Sequence, residues 1–279
     1  MTQFWCNDRW FNSQDFPASP LDRGAILGLA LFETLLSLDG EPIFTERHLA
    51  RLLLACEKLG WSFSCPRFRP IARELLARNQ LELGRARIRL TLTAGSGPLD
   101  HLSLGADHRL WMTALAAPPT PPSLKAALSP WPRNEHSPLA GLKCAAYAEN
   151  LIAMNQARAR GFQQSIFLNT AGQVCEAATA NLFLVKNGTL FTPPLTSGCL
   201  PGITRQVVLE LSQALTIPCQ QQPLSRADLD HADEIFLTSS IHGVVGVSQF
   251  EDRQLEPAPL TQGLRKAWHE ACRSKTADR

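Results

Sequence analysis

Residues 181–194, NLFLVKNGTLFTPP, decide the fold class of this 279-residue sequence. Two apolar runs flank an Asn-Gly pair, which is typical of the type I′ turn of a β-hairpin. A strand–turn–strand pattern precedes them in SIFLNTAGQVCE (165–176), and a helix pattern follows in GITRQVVLELSQAL (202–215). Hairpins interspersed with helices favour an α+β (mixed α/β) fold over a doubly wound parallel sheet.

The N-terminal part shows the same mixture. LFETLLSLDGEPIF (31–44) predicts a hairpin around an Asp-Gly turn, and a helix pattern covers residues 46–59. RARIRLTLTAG (85–95) alternates basic or Thr residues with aliphatic ones, as a half-buried strand does.

Prolines concentrate between residues 118 and 138. Proline lacks the backbone N–H that sheets and helices use, so this segment is typical of a connection between domains. The sequence therefore predicts a small α/β domain over residues 1–117, a proline-rich linker over 118–138 and a larger α/β domain over 139–279.

Composition excludes several classes of protein. The net charge of +2 and the absence of a dense basic run argue against nucleic acid. No apolar run reaches the ~20 residues that span a bilayer, and the N-terminus lacks a signal-peptide pattern. The eight cysteines form no CxxC pair, which indicates free thiols and a cytoplasmic protein. The dispersed histidines predict no metal site.

Two segments could bind an anion. Because GITRQVV starts a helix after Gly202, the backbone N–H groups near Ile203 and Thr204 converge on one point, and phosphate fits there as well as water does. FLTSSIHG (236–243) adds hydroxyl and amide groups around Ser240 and Ile241. These groups fit either a second anion contact or a simple turn capped by a hydroxyl group.

Three charged residues stay ambiguous when each is considered alone. Glu176 follows a strand among small residues, and its pattern fits either an acid shielded from water or a charge on an edge strand. Arg51 lies opposite the leucine stripe of its helix, on a solvated face or, as the nearby Leu54 suggests, on a second packed surface. Lys143, in LKCAAY (142–147), has the pattern of a surface lysine.

Taken in order, the segment from Lys143 to Arg205 resembles the class IV (fold type IV) pyridoxal-phosphate enzymes. This family includes branched-chain aminotransferases, D-amino-acid aminotransferases and 4-amino-4-deoxychorismate lyases. DRGAILGLALFET (22–34) and HLARL (48–52) are similar to its Arg-Gly, Phe-Glu-Thr and His-x-x-Arg-Leu motifs. The resemblance implies a two-lobed, D-amino-acid-aminotransferase-like enzyme with pyridoxal 5′-phosphate (PLP) as cofactor. It also implies a small amino substrate and a homodimer.

The resemblance implies a role for each matching residue. Lys143 would bind PLP as a Schiff base and then move protons as acid and base. Glu176 would keep the pyridine nitrogen protonated, and Arg51 would bind the phosphate with its planar guanidinium. The other cofactor contacts would be Tyr147 at the ring hydroxyl, Leu200 against the ring, and Ile203, Thr204, Ser240 and Ile241 at the phosphate.

Within the family, RGAILGLALFET and SPLAGLK (137–143) are similar to the lyases, and Thr34 matches a threonine implicated in their proton handling. We therefore expect a 4-amino-4-deoxychorismate lyase, which releases pyruvate and 4-aminobenzoate for folate biosynthesis. Ala94 stands where a lyase arginine would bind carboxylate. Arg87 or Arg89, on the same strand, would replace it unless both face solvent.

Two alternatives remain. TPPLTSGCLPGITR (192–205) is equally similar to branched-chain aminotransferases, so the protein could be a branched-chain or D-amino-acid aminotransferase that uses 2-oxoglutarate. A catalytically silent PLP-binding homologue is the other alternative, although such a protein would be expected to lack the lysine or the acid.

Overall fold

A computed structural model describes residues 2–15, 19–256 and 258–277. The chain divides into two units. The first consists mainly of Met1–Pro119 with Leu142–Ala146, and the second mainly of Thr120–Gly141 with Tyr147–Ser274.

The described residues of the first unit form a six-stranded antiparallel sheet and three helices. Its strands follow the order β2-β1-β6-β5-β3-β4. The elements are β1 (Gln3–Cys6), β2 (Arg9–Asn12), α1 (Arg23–Ile26), β3 (Ala30–Leu38), β4 (Glu41–Pro42), α2 (Thr45–Lys58), α3 (Phe68–Arg78), β5 (Arg85–Thr93) and β6 (Leu110–Ala116).

Alternation along β5 gives the sheet two different faces. Ile88 and Leu90 are fully buried in a core that also contains Leu52 of α2 and Leu75 of α3. Arg89 lies between those two aliphatic residues in the sequence, so its side chain projects from the opposite face. The core therefore lies between one face of the sheet and helices α2 and α3.

The predicted turns are confirmed. Asp39 and Gly40 join β3 to β4 with φ of 47° and 79°. Asn187 and Gly188 join the strands at 181–186 and 189–192 with φ of 50° and 74°. Positive φ at both central residues is what a type I′ turn requires, and Asn, Asp and Gly tolerate it best.

The segment around Lys143 belongs to the sheet of the first unit. Phe32 donates its backbone N–H to the carbonyl of Lys143 at 2.9 Å, and Ala145 donates to the carbonyl of Ala30 at 2.8 Å. The sequence placed this lysine in the larger domain 139–279. The structure assigns Leu142–Ala146 to the first unit. The strand β4 pairs with the C-terminal end of β3, so the N-terminal end of β3 is left to pair with the segment around Lys143.

A buried arginine organises the loop after β5. The side chain of Arg23 is fully buried. Its guanidinium donates to the carbonyls of Gly95 at 3.1 Å, His101 at 2.8 Å, Ala94 at 3.1 Å and Ser103 at 2.6 Å. Carbonyl dipoles thus surround the charge and connect α1 to the loop at residues 94–103.

The second unit contains a nine-stranded mixed sheet. Eight strands follow the order β12-β11-β10-β13-β14-β7-β8-β9, and β15 pairs with β14. The elements are β7 (Ser123–Leu128), α4 (Ala148–Ala159), β8 (Gln164–Leu168), β9 (Val174–Ala177), β10 (Asn181–Lys186), β11 (Thr189–Thr192), α5 (Ile203–Ala214), β12 (Cys219–Gln221), α6 (Arg226–Asp230), β13 (Glu234–Ser239), β14 (Gly243–Phe250), β15 (Arg253–Gln254) and α7 (Pro259–Ala277).

The predicted linker 118–138 is not a simple connection, since β7 lies within it. This strand pairs in parallel with both β8 and β14. Its six residues, SLKAAL, contain no proline, so every backbone N–H can join the sheet, while the prolines remain on either side.

Among the residues that the structure describes, no helix combines the length and apolar character needed to cross a membrane. All eight cysteines lie in this part of the chain, and each is a free thiol.

Candidate active site

Lys143 lies beside Phe32 in the first unit. Its Nζ is 4.4 Å from the centroid of the Phe32 ring. The guanidinium carbon of Arg89 is 3.7 Å from the same centroid. A positive charge over an aromatic face is attracted by the ring, so Phe32 helps to hold both cations.

Thr34 and Arg87 share this face of the sheet. Thr34 pairs with Arg89 across β3 and β5, and Leu36 pairs with Arg87. Residues opposite each other in antiparallel strands project to the same side. The structure therefore brings Lys143, Thr34 and Arg89 to one face, with the more exposed Arg87 further along β5.

Arg51 binds a buried acid on the other face. Its Nε lies 2.8 Å from Glu33 Oε1, and its Nη2 lies 2.5 Å from Oε2. His48 Nδ1 is 2.7 Å from Oε2 of the same carboxylate. Only 11% of the Arg51 side chain is exposed and 1% of Glu33, so Arg51 is not on a solvated face.

Burial and charge set the protonation of this cluster. Burial alone would raise the pKa of Glu33, but the charge and hydrogen bond of Arg51, with His48, outweigh it and lower the pKa to about 2. Burial lowers the pKa of His48, and the charges of Arg51 and Lys143 lower it further against the opposing effect of Glu33. An ionised Glu33 only accepts, so Nδ1 of a neutral His48 carries the proton.

Sequence reasoning did not identify Glu33 and His48 as a cluster with Arg51. A signal was present, because Glu33 lies between Leu31 and Leu35 at a position where the alternation of β3 requires a core residue. An acid at such a position needs a cationic partner.

Glu176 in the second unit is half-buried on β9. Its Oε2 accepts the backbone N–H of Leu200 at 2.9 Å and faces Nδ2 of Asn181 at 3.4 Å. The same Nδ2 donates to the Leu200 carbonyl at 2.8 Å. The carboxylate is therefore held in place through Oε2.

Tyr147 precedes α4 and lies against the end of β9. Its hydroxyl donates to the carbonyl of Ala178 at 3.1 Å. Asn150 Nδ2 donates to that carbonyl at 2.5 Å. Through this shared acceptor, the phenol of Tyr147 is fixed two residues beyond Glu176.

The helix α5 begins directly after Gly202. Gly202 is the N-cap residue, and no described side chain caps the helix. Ile203 and Thr204 form its first turn and are 5% and 2% exposed. Ser240 and Ile241 follow β13 in a separate turn.

The described residues include the kinds of group that PLP needs. The cofactor requires an amine, an acid for its ring nitrogen and donors for its phosphate. Within the first unit, Lys143 is an amine and Arg51 a guanidinium. Within the second unit, Glu176 is an acid and the first turn of α5 carries backbone amides. The described residues include no cluster of His, Cys, Asp or Glu that could hold a metal ion.

Known proteins provide an independent comparison. Residues 30–250 match the amino-transferase class IV family. A Synechocystis relative, described as "Probable branched-chain-amino-acid aminotransferase", is 30% identical over 79% of this chain and 73% of its own. The branched-chain-amino-acid aminotransferase of Escherichia coli (strain K12) is 28% identical over 99% of this chain and 94% of its own.

A solved structure from Legionella pneumophila, described as "Putative 4-amino-4-deoxychorismate lyase", superimposes with a TM-score of 0.83. It is 28% identical and covers 94% of this chain and 98% of its own. These similarities confirm the predicted fold type IV architecture. The chain therefore belongs to the class IV aminotransferase family and is a PLP-dependent enzyme.

Proposed function

We propose that this enzyme is a 4-amino-4-deoxychorismate lyase, which converts its substrate into pyruvate and 4-aminobenzoate for folate biosynthesis. The observation that carries the proposal is the charge on the Lys143 face of the first unit. Arg89 lies on the ring that also holds Lys143, and Arg87 projects from the same side of β5.

Two arginines suit this substrate because it carries two carboxylates. A guanidinium binds a carboxylate through two parallel hydrogen bonds and keeps its charge at every physiological pH. Arg87 and Arg89 would also replace the charge that is missing at Ala94, which occupies the position of the lyase arginine and is fully buried. A branched-chain amino acid would need one carboxylate contact and an apolar surface.

The cofactor contacts follow the resemblance. Lys143 would bind PLP covalently, Glu176 would face its ring nitrogen, and Tyr147 would contact its ring hydroxyl. Leu200 would lie against the ring. The phosphate would be bound by Arg51, Ile203, Thr204, Ser240 and Ile241.

PLP, when bound, withdraws electrons from the substrate carbon that carries the amino group and so makes its proton acidic. The amine of Lys143 would take that proton and return one to the three-carbon fragment that leaves as pyruvate. Thr34 would assist by hydrogen bonding near the reacting carbon. Because the remaining ring becomes aromatic, the enzyme needs accurate positioning more than additional charge.

A second candidate is an aminotransferase that uses 2-oxoglutarate. It is favoured by the names of the Synechocystis and Escherichia coli relatives. Arg87 and Arg89 would then bind 2-oxoglutarate, which also carries two carboxylates.

One experiment separates the two reactions. Purified holoenzyme is incubated with 4-amino-4-deoxychorismate, and separately with a panel of D- and L-amino acids plus 2-oxoglutarate. Release of equal amounts of pyruvate and 4-aminobenzoate supports the lyase. Brisk exchange of amino groups without 4-aminobenzoate would replace it with the aminotransferase, and inactivity in both assays would favour a silent homologue.

A further inference from the structure

We propose that Asn181 is a positioning residue that fixes the carboxylate of Glu176 relative to the first turn of α5. The inference rests on the proposed roles of Glu176 and α5 in holding PLP. It applies equally to a lyase and to an aminotransferase, because both need the cofactor in the same orientation.

The side-chain amide of Asn181 joins two groups. Asn181 is 5% exposed and begins β10, which lies between β11 and β13 in the sheet. Its Nδ2 donates to the Leu200 carbonyl at 2.8 Å and lies 3.4 Å from Glu176 Oε2. The Leu200 N–H donates to that same oxygen at 2.9 Å. Both polar backbone groups of Leu200 are thereby connected to Glu176 or Asn181.

Only an amide fits this position. Nδ2 of asparagine has two hydrogens and can donate to a carbonyl and face a carboxylate together. Aspartate has the same shape but no donor, and it would place a second negative charge beside Glu176. The side chain at position 181 therefore matters through its donor as well as its volume.

Gly202 provides the second, independent contact. A Cβ on Gly202 would lie 1.9 Å from Asn181 Oδ1 and 3.1 Å from its Cγ. The φ of Gly202 is −69°, which any residue adopts. The close approach of Asn181, and not the backbone conformation, is thus what requires glycine at the N-cap of α5.

Asn181 consequently touches both parts of the proposed cofactor site in the second unit. One end of its amide meets Leu200 and Glu176, and the other end meets Gly202 at the start of α5. The ring nitrogen and the phosphate of PLP belong to one small molecule, so their protein partners must keep a fixed spacing. Displacements of about 1 Å are costly for such groups.

The test compares Asn181→Ala, Asn181→Asp, Gly202→Ala and the Asn181→Ala/Gly202→Ala double variant. Asn169→Ala is the matched control, because Asn169 is also buried in this unit but accepts from Gln173 in a separate turn. Three quantities are measured without amino substrate: the dissociation constant of PLP, the pH dependence of the absorbance of bound PLP, and the Tm of the PLP-free protein.

We expect Asn181→Ala to weaken PLP binding by about tenfold and to shift the pH dependence of the absorbance. Gly202→Ala should show a loss of similar size. The double variant should be no worse than Gly202→Ala, because removal of the Asn181 side chain also removes the clash. Asn169→Ala should change only the Tm. If Asn181→Ala fails to fold, the isosteric Asn181→Asp carries the same expectation.

The proposal is overturned if the Asn181 variants retain the affinity and pH profile of the wild type. It is also overturned if the losses in the double variant add, since independent effects would mean that the two residues share no contact. Glu176→Gln tests the premise. An unchanged pH profile in that variant would remove the role of Glu176 itself, whereas failure of the lyase assignment would leave all these measurements unaffected.

Discussion

Arg51 donates two hydrogen bonds to the buried carboxylate of Glu33, from Nε at 2.8 Å and from Nη2 at 2.5 Å. The guanidinium is therefore fixed before any phosphate binds. We expect Arg51→Ala to weaken PLP retention by ~2 kcal/mol or more, as for a charge-assisted contact. Equilibrium dialysis of PLP measures the loss.

Arg47→Ala is the control, since Arg47 lies one turn earlier on α2 and packs over Phe44. Arg51→Ala also leaves Glu33 buried without its strongest partner. The Arg51→Ala/Glu33→Gln double variant should therefore regain thermal stability without regaining PLP affinity. Equal losses in the Arg47 and Arg51 variants would show that Arg51 is not the phosphate ligand.

Lys143 is expected to carry the cofactor. Borohydride reduction of the holoenzyme followed by peptide mapping should leave the pyridoxyl group on Lys143, because its amine is already held over Phe32. Lys125 and Lys186 lie elsewhere in the chain and serve as internal controls. A label on either of them would contradict the assignment.

His48 is expected to make the stability of the folded protein depend on pH. Its pKa in the folded protein lies below the usual 6.5. Near and below pH 6.5, the unfolded chain therefore binds more protons at His48 than the folded chain does. The contribution of His48 to the free energy of unfolding is present above pH 6.5 and is lost on acidification. Glu33, with a pKa of about 2, remains ionised throughout. The Tm of the PLP-free protein should fall by a few degrees from about pH 7.5 to about pH 5.5.

His48→Asn retains a donor at the position of Nδ1 but cannot titrate. Its Tm should be lower than that of the wild type at neutral pH and should vary less across the same range. His136, whose side chain is 84% exposed, provides the control variant His136→Asn. A wild-type slope that survives in His48→Asn would assign the pH dependence to other groups.

Thr34 and Arg89 are expected to act on the substrate and not on the cofactor. Arg89→Ala should raise KM for 4-amino-4-deoxychorismate by about tenfold or more, because it removes a charged carboxylate contact. Thr34→Ala should mainly lower kcat. Neither should change the absorbance of bound PLP. The control is Arg9→Ala, because Arg9 is exposed on β2 of the same sheet. This variant should leave KM, kcat and the absorbance of bound PLP unchanged.

The resemblance also predicts a homodimer. Sedimentation velocity at micromolar concentration should give a single species of twice the mass of the 30.7 kDa chain. A monomer that retains full activity would refute this assembly.

The local patterns of the sequence predicted the turns and helices well. Asn187 and Gly188 favour their hairpin through their backbone preference, and the helix predicted over residues 46–59 is α2, Thr45–Lys58. Such features depend on residues adjacent in sequence. The ordered motif from Lys143 to Arg205 indicated the family for the same reason, since its residues are read without reference to packing.

The features that sequence reasoning missed depend on contacts between distant segments. Glu33 is separated from Arg51 by a turn and part of a helix, and nothing in either local pattern indicates that they pair. The sequence predicts only that Asn181 starts a strand, because its close approach to Gly202 joins segments that are separate in the sequence. Strand β7 was hidden by its flanking prolines, and its partner β14 follows more than a hundred residues later.

The arrangement around Arg23 limits how this chain can vary. Each hydrogen bond of the Arg23 guanidinium is accepted by a main-chain carbonyl, which every residue type offers. The loop at 94–103 therefore coordinates the guanidinium through its backbone, much as a protein loop coordinates a metal ion. Side chains there can diverge freely, but an inserted or deleted residue would misplace the carbonyls. The exceptions are Ala94, whose side chain is fully buried, and two glycines. An added Cβ would lie 2.7 Å from the backbone nitrogen of His108 at Gly95 and 2.9 Å from the guanidinium carbon of Arg23 at Gly97. Among related chains, this loop should vary in composition and keep its length wherever an arginine occupies position 23.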